Sequence, residues 1–565
     1  MGSGPRVAAQ RSAAQRSAAQ RGLAGLLAAV LLLPVPAGAL AQGGASRSAL
    51  PALGDAAGED LGIGAERRIG DRIMQEARRD PDLLDDALLV DYVRSVFTPL
   101  LQAAKARGDL PEELAQHFAW ETFIVRDRSV NAFALPGGYI GVHLGLLSMT
   151  ATRDELASVL AHELSHVTQR HIARMLASNR RQSLLGVVAM ILGVMAAARS
   201  NVDAANAMIV GGQAAVVQGQ LNFSRDMERE ADRVGFGVLE QAGFAGSGMA
   251  GMFERMQQAQ RLTDYNQFPY LRSHPLTTDR VAEARSRLGV DGASTLLDLM
   301  GSGGAQALWW HAAMQGRARG LMENRSEALQ RLAGGVTGSA TAAGNGPGNG
   351  AGNGAGGAAK AAPSDPQALT AAYAAAVAAT RLKNWPQADA ALARARALAA
   401  PSAAAQRAVL QAQVESMLER DRPREAAVLL AQAPLDGSRA AMLLGARVVV
   451  AQPGPAQPLT RTAEELRTWV ALHPQDGSAW MALAQLEERL GARLASLRAQ
   501  GEAHLAWGDL SGAADRLRAG QRLARSTGGA DSVEAAVIDA RLKAIEERRR
   551  RDQADQREEG GSGPR

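Results

Sequence analysis

Polar and apolar positions divide the chain into stretches of different character. An apolar run, Gly25–Ala37 (GLLAAVLLLPVPA), follows Arg6, Arg11, Arg16 and Arg21, with no acidic residue before Asp55 and with Ala39-Leu40-Ala41 just after it. That order of charge, apolar core and small residues is that of a secretory signal peptide cut after Ala41, and Pro34 and Pro36 interrupt the run before it could span a bilayer. Residues 1–41 are therefore expected to be the export signal, and 42–58 a flexible Gly/Ala/Ser-rich lead-in. From residue 59 to 300 the pattern is dense and mixed. ETFIVRD, SVNAFAL and YIGVH, separated by short turns including Pro136-Gly137-Gly138, predict a small β-meander. A helix follows from Thr152, whose spacing to Glu155 fits a capping box.

Two further apolar runs, Leu184–Ala198 and Ala204–Val217, are too short to span a bilayer comfortably, so a buried or membrane-facing helical hairpin is expected there. Residues 301–339 read as a helical connector or first repeat helices, and 340–363 (ATAAGNGPGNGAGNGAGGAAKAAP) as a disordered linker. From 364 to 545 the chain is Ala/Leu/Arg-rich and helical, with a charged tail at 546–565. Lys383–Leu392 (KNWPQADAAL), Asp421–Leu430 (DRPREAAVLL) and Gly508–Leu517 (GDLSGAADRL) align, with Ala388, Ala426 and Ala513 at one position and Leu392, Leu430 and Leu517 at another. The first two copies lie 38 residues apart, near the ~34-residue period of tetratricopeptide repeats. Small and large residues recurring just after a turn suit stacked helix pairs better than a generic Ala-rich bundle. The expected fold is mainly α with a small β-meander: an α+β domain followed by an α-helical tetratricopeptide-repeat solenoid.

Composition changes this picture little. A net charge of +5 over 565 residues, with only four lysines and no Arg-rich stripe carrying interleaved aromatics, argues against a nucleic-acid partner. There is no cysteine, which removes thiolate metal ligands and a lipid-modified N-terminal Cys.

The chemistry concentrates in VLAHELSHVTQRH, Val159–His171. On a helix His162 and His166 lie one turn apart on nearly the same face, so two imidazoles can reach one ion. Glu163 stands beside them, placed to take a proton from water at that ion, which is why H-E-x-x-H marks zinc peptidases. Leu156, Val159, Leu160, Leu164 and Val167 surround the motif, and unpartnered polar groups in such a buried helix would be costly. His171 falls about 180° from His162 if the helix continues, so it reads as a surface histidine or one behind the ligands. The metzincin pattern would need Gly at position 169 and His at 172, where this chain has Gln169 and Ile172. The third ligand must come from elsewhere, and the best donor is the helix in SRDMEREADRVGFG. Glu228 and Asp232 share a face there, while Glu230 points away. Glu228 completes a His-His-Glu site with one open position, and Asp232 can accept the other ring N–H of a ligand histidine.

With HELSH, a following ExxAD helix, the upstream NAFALPGG and the downstream SHP, the chain resembles the gluzincin family that includes the CAAX prenyl protease and the HtpX heat-shock protease. An export signal and a C-terminal repeat domain make it most similar to a periplasmic branch of that family. The resemblance implies an α+β zincin-type metallopeptidase domain holding one Zn2+ per chain, with His162, His166 and Glu228 as ligands and Glu163 as general base. It implies that the SVNAF segment, through Asn131, Ala132 and Phe133, binds substrate as an added strand. His274, in LRSHPLTTDR, is either an ordinary histidine before Pro275 or a loop histidine that reaches the zinc; the resemblance favours the latter, as a catalytic group or as a fourth ligand that keeps the enzyme latent. Arg280 is a weaker candidate for contacting substrate or the oxyanion. Unfolded or misassembled outer-membrane β-barrel proteins, or their assembly machinery, are the partners implied, with peripheral membrane contact through the apolar hairpin. The rival is a chaperone or adaptor that acts through its repeats while the peptidase stays latent. The Gly/Asn linker departs from the family and puts tight docking of the two halves in question.

Overall fold

The computed structural model describes residues 61–178, 225–262, 268–288, 303–341, 365–432, 436–454, 456–526 and 532–561. The expected export signal, the lead-in, both apolar runs and most of the Gly/Asn linker lie outside these residues. Among the described residues no helix is long and apolar enough to cross a membrane.

Helices α1 (Ile63–Ala77), α2 (Ala87–Arg107) and α3 (Glu112–His117) precede the sheet. The strands are β1 (Glu121–Val125), β2 (Ala132–Leu135) and β3 (Tyr139–His143). The sheet is not a meander, because its order is β1-β3-β2, with β3 parallel to β1 and antiparallel to β2. The side-chain pattern explains the correction. YIGVH is buried at all five positions, as suits a central strand, whereas β2 is buried only at its two ends. Gly137 and Gly138, at φ of 78° and 87°, close the β2–β3 turn in a conformation that a Cβ would strain.

Next come α4 (Leu144–Met149), the motif helix α5 (Arg153–Thr168), α6 (His171–Ser178), α7 (Arg225–Gln241), α8 (Ser247–Leu262), α9 (Pro269–Ser273) and α10 (Thr278–Arg287). The rest is helical. It runs through α11 (Gly304–Met322), α12 (Ser326–Thr341), α13 (Pro366–Arg381), α14 (Trp385–Leu398), α15 (Ala403–Glu419) and α16 (Pro423–Ala431). It continues through α17 (Arg439–Ala451), α18 (Ala456–Leu472), α19 (Gly477–Arg489), α20 (Arg493–Ala506), α21 (Leu510–Ser526) and α22 (Ser532–Gly561). The three aligned segments each begin at a left-handed residue, Lys383 (φ 56°), Asp421 (φ 57°) and Gly508 (φ 75°), so each turns at the same point before its next helix. Ala388, Ala426 and Ala513 behind those turns are all fully buried, where a larger side chain would force neighbouring helices apart.

One apolar core runs without a break from α2 through α15, joining Tyr92 and Leu100 to Leu160, Met314, Tyr373 and Ala408. The helices on either side of the Gly/Asn segment pack on each other, with Leu329 and Ala333 against Ala378, Ala379 and Ala388. Gly316 permits the approach, since a Cβ there would lie 2.7 Å from the Thr370 carbonyl oxygen. The inserted segment thus leaves the flanking helices docked on each other.

Candidate metal centre

Helix α5 begins at Thr152, whose hydroxyl accepts from the Glu155 amide at 3.2 Å. Glu155 accepts from the Ala151 amide rather than that of Thr152, and Arg255 donates to both of its oxygens, so only half of a capping box forms. Every residue from Asp154 to Thr168 is buried. A helix buried nearly all round makes each polar side chain it carries dependent on a specific partner.

Helix α7 crosses α5 closely at Gly235, where a Cβ would stand 3.1 Å from the Ala161 carbonyl oxygen and 3.2 Å from the His162 amide. That contact brings the two motifs together. His162, His166, Glu228 and His274 each offer one donor atom, all within 4.8 Å of one another and all buried. His162 Nε2 lies 3.0 Å from His166 Nε2 and 3.3 Å from His274 Nδ1, and Glu228 Oε1 lies 2.9 Å from His274 Nδ1 and 3.4 Å from His166 Nε2. A tetrahedral ion with Zn–N of about 2.0–2.1 Å has donor-to-donor edges of about 3.3 Å, so the spacing and the nitrogen–oxygen donor set suit zinc. Among the described residues Glu228 Oε2 has no hydrogen bond of normal geometry, although Arg280 Nη1 lies 2.8 Å away as an ion pair. A buried carboxylate oxygen turned toward imidazole nitrogens fits a cation better than it fits a packed core.

The surroundings fix these groups. Asp232 Oδ1 lies 2.9 Å from His162 Nδ1, leaving Nε2 turned to the cluster. Arg280 grips both oxygens of Asp232, at 2.6 and 2.8 Å, and donates to the Pro275 carbonyl at 3.0 Å. At 5% exposure, Arg280 directs its donors at Asp232, Glu228 and Pro275. Thr277 caps α10 and so sets the start of the helix that carries Arg280. The Tyr270 ring stacks on His274 with centroids 4.7 Å apart.

The charges respond to this packing. Burial opposes a charged His162, yet Asp232 and Glu228 raise its pKa to about 9. Burial lowers the His166 value. Burial works against the Glu228 carboxylate, but His274, His162 and His166 hold it well below the usual range. Asp232 is likewise held at about 2 against burial by Arg280 and His162. Glu163 is fully buried, neither of its oxygens has a hydrogen bond of normal geometry among the described residues, and His274 Nε2 stands 3.5 Å from Oε1. Burial raises its carboxyl above the ordinary value, partly offset by His274 and His162 and by the Ala134 amide of β2.

Strand β2 pairs only with β3 among the described residues and so forms a sheet edge. Ala132 is buried and Phe133 half-buried, while the Asn131 carbonyl accepts from the His143 amide at 3.0 Å. The buried Oδ1 of Asn131 has no hydrogen-bond partner among the described residues.

His171 is placed differently from a residue on a continuing helix. The chain breaks at Arg170, in the left-handed region at φ 51°, and α6 restarts at His171. His171 is therefore not on the surface. It is fully buried, with Nδ1 2.8 Å from His166 Nδ1 and Nε2 3.1 Å from Glu230 Oε2. Glu230 does point away from the donor cluster, but toward His171. Neither Gly nor Asn marks the break, and an arginine there gives no warning of a positive φ.

Residues 92–288 match the family described as Peptidase family M48, a metallopeptidase family that depends on zinc. The chain is 35% identical over 244 residues to the beta-barrel assembly-enhancing protease of Escherichia coli (strain K12), covering 43% of this chain and 47% of that protein. It is 35% identical over 272 residues to the protein of the same name from Yersinia pestis, covering 47% and 53%. A more distant relative is the mitochondrial metalloendopeptidase OMA1 of Saccharomyces cerevisiae, 29% identical over 194 residues, covering 34% and 53%. The chain spans about half the length of the curated relatives it matches.

Proposed function

We propose that this chain is a periplasmic zinc endopeptidase acting in quality control or assembly of outer-membrane β-barrel proteins. The observation that carries the proposal is the convergence of His162, His166, Glu228 and His274 around one point, with the buried Glu163 beside them. The names of the bacterial relatives support the client class, and the apolar run that follows four arginines and precedes Ala39-Leu40-Ala41 supports export. We assign the peptidase to residues 59–300 and a tetratricopeptide-like repeat domain to 364–545, which would receive clients or the assembly machinery. Residues 184–217 would supply any peripheral membrane contact.

In this account His162, His166 and Glu228 hold the ion. Zinc, when bound, supplies a Lewis acid that acidifies water and polarises a peptide carbonyl. Glu163, its carboxyl raised by burial, takes the proton of the attacking water and passes it to the leaving amine. Asp232 keeps His162 in one tautomer, and Arg280 fixes Asp232. Ala132 and Phe133, with Asn131 just before them, lie on the edge strand β2, whose Ala134 amide faces Glu163, so a substrate strand added there would bring its carbonyl near the base. One observation favours a latent form, since His274 stands within the donor set, at 2.9 Å from Glu228 and 3.3 Å from His162. A fourth protein donor would close the open position that catalysis needs.

The test is cleavage of an unfolded β-barrel protein by wild type, Glu163→Gln and His274→Ala, with bound zinc measured on each. Wild type should cleave and Glu163→Gln should retain zinc while losing at least about 100-fold in rate. Equal cleavage by Glu163→Gln would end the enzyme proposal. A more active His274→Ala supports latency, and an inactive one makes His274 catalytic.

A further inference from the structure

We infer that His171 and Glu230 form a positioning relay that fixes zinc ligand His166, in the way that Asp232 fixes His162. The inference rests on the zinc reading above.

A neutral imidazole carries one N–H. If His166 Nε2 presents its lone pair to a cation, the proton sits on Nδ1 and needs an acceptor in a fully buried site. His171 Nδ1 lies 2.8 Å from that atom. Accepting there places the His171 proton on Nε2, which then donates to Glu230 Oε2 at 3.1 Å. Arg174 Nη1 secures the same carboxylate oxygen at 3.1 Å. The chain is thus fully assigned, from His166 Nδ1–H to His171 and from His171 Nε2–H to Glu230. In the opposite sense the His166 proton would sit on Nε2, 3.0 Å from His162 Nε2, where the ring's lone pair is needed for the cation.

The backbone is built for this contact. Five residues along an unbroken helix would carry His171 about 140° around from His166. The left-handed Arg170 turns the chain instead, and the Arg170 guanidinium is anchored on Glu66 and on the Leu61 carbonyl. A non-glycine residue at positive φ persists only where the surroundings hold it. The result sets the His171 ring 4.9 Å from that of His166, at 73°.

The two ligand histidines then have arms of different length. Asp232 receives His162 directly, whereas His166 reaches its carboxylate through a second imidazole, which carries the orienting charge out to a residue whose side chain is 30% exposed.

The experiment measures zinc affinity of the full-length chain by competition with a chelator, with the tautomer of His166 read from the nitrogen chemical shifts of 15N-histidine-labelled protein. His171→Leu should bind zinc about 10–100-fold more weakly, and Glu230→Ala should lose affinity in the same direction. His171→Asn, which can keep an acceptor near Nδ1, should recover most of the loss. Zinc-loaded wild type should show His166 protonated on Nδ1. Wild-type affinity in a folded His171→Leu, or a His171→Asn no better than His171→Leu, would overturn the relay. Were His171→Leu not to fold, unchanged affinity in Glu230→Ala would overturn it equally. Wild type failing to bind zinc would remove the metal site itself, an outcome distinct from a wild type that binds while the variants bind as well.

Discussion

Arg317 on α11 donates from Nε and Nη2 to both carboxylate oxygens of Asp86, the residue that caps α2, at distances of 2.7–3.0 Å. The same guanidinium also meets Glu415 on α15 at 2.8 and 2.9 Å. Arg317 thereby ties the N-terminal end of the peptidase region to the helical half, and Arg439 repeats the arrangement with Asp85 and Asp476.

Removing Asp86 leaves a nearly buried arginine with half its partners and takes away the acceptor of the Leu89 amide. Asp86→Ala should lower stability by about 3 kcal/mol or more, read from the urea midpoint. A loss below about 1 kcal/mol would class the pair with surface ion pairs.

His311 gives a pH dependence of known sign. It is buried between the Tyr92 hydroxyl, 2.5 Å from Nδ1, and the Thr150 carbonyl, 2.9 Å from Nε2. That arrangement accommodates the neutral ring, and burial lowers its pKa from 6.5 to about 4. The unfolded chain therefore binds this proton more readily, so the contribution is present above pH 6.5 and lost as pH falls toward 4. The loss is about 3 kcal/mol. The stability difference between wild type and His311→Gln should shrink by about that amount from about pH 7 to about pH 4. A constant difference would contradict it.

Gly235→Ala tests the crossing of α5 and α7. Its new Cβ would press on the backbone of Ala161 and His162, which cannot rotate away. Destabilisation of about 1–3 kcal/mol is expected, together with weaker zinc binding as Glu228 moves off the two histidines. A variant as stable as wild type would show that the helices separate at little cost.

Much of this site follows from helical spacing. A spacing of four from His162 to His166, and of four from Glu228 to Asp232, places each pair on one face, and the structure brings both faces together. The order of the sheet was hidden because three short apolar strands joined by turns are compatible with several pairings, and only the complete burial of Tyr139–His143 selects the central one. His171 and Glu230 were hidden for a different reason. Their meeting depends on one positive φ at Arg170, which neither periodicity nor composition encodes. The buried position of Arg280 likewise depends on where α10 is capped relative to α7.

Zinc titration of the metal-free full-length chain by calorimetry decides whether the four-residue cluster is the zinc site. The account predicts about one ion per wild-type chain, near-normal binding by Glu163→Gln, and at least about a 100-fold loss for Glu228→Ala. Wild-type affinity in Glu228→Ala, or no zinc bound by wild type, would contradict it.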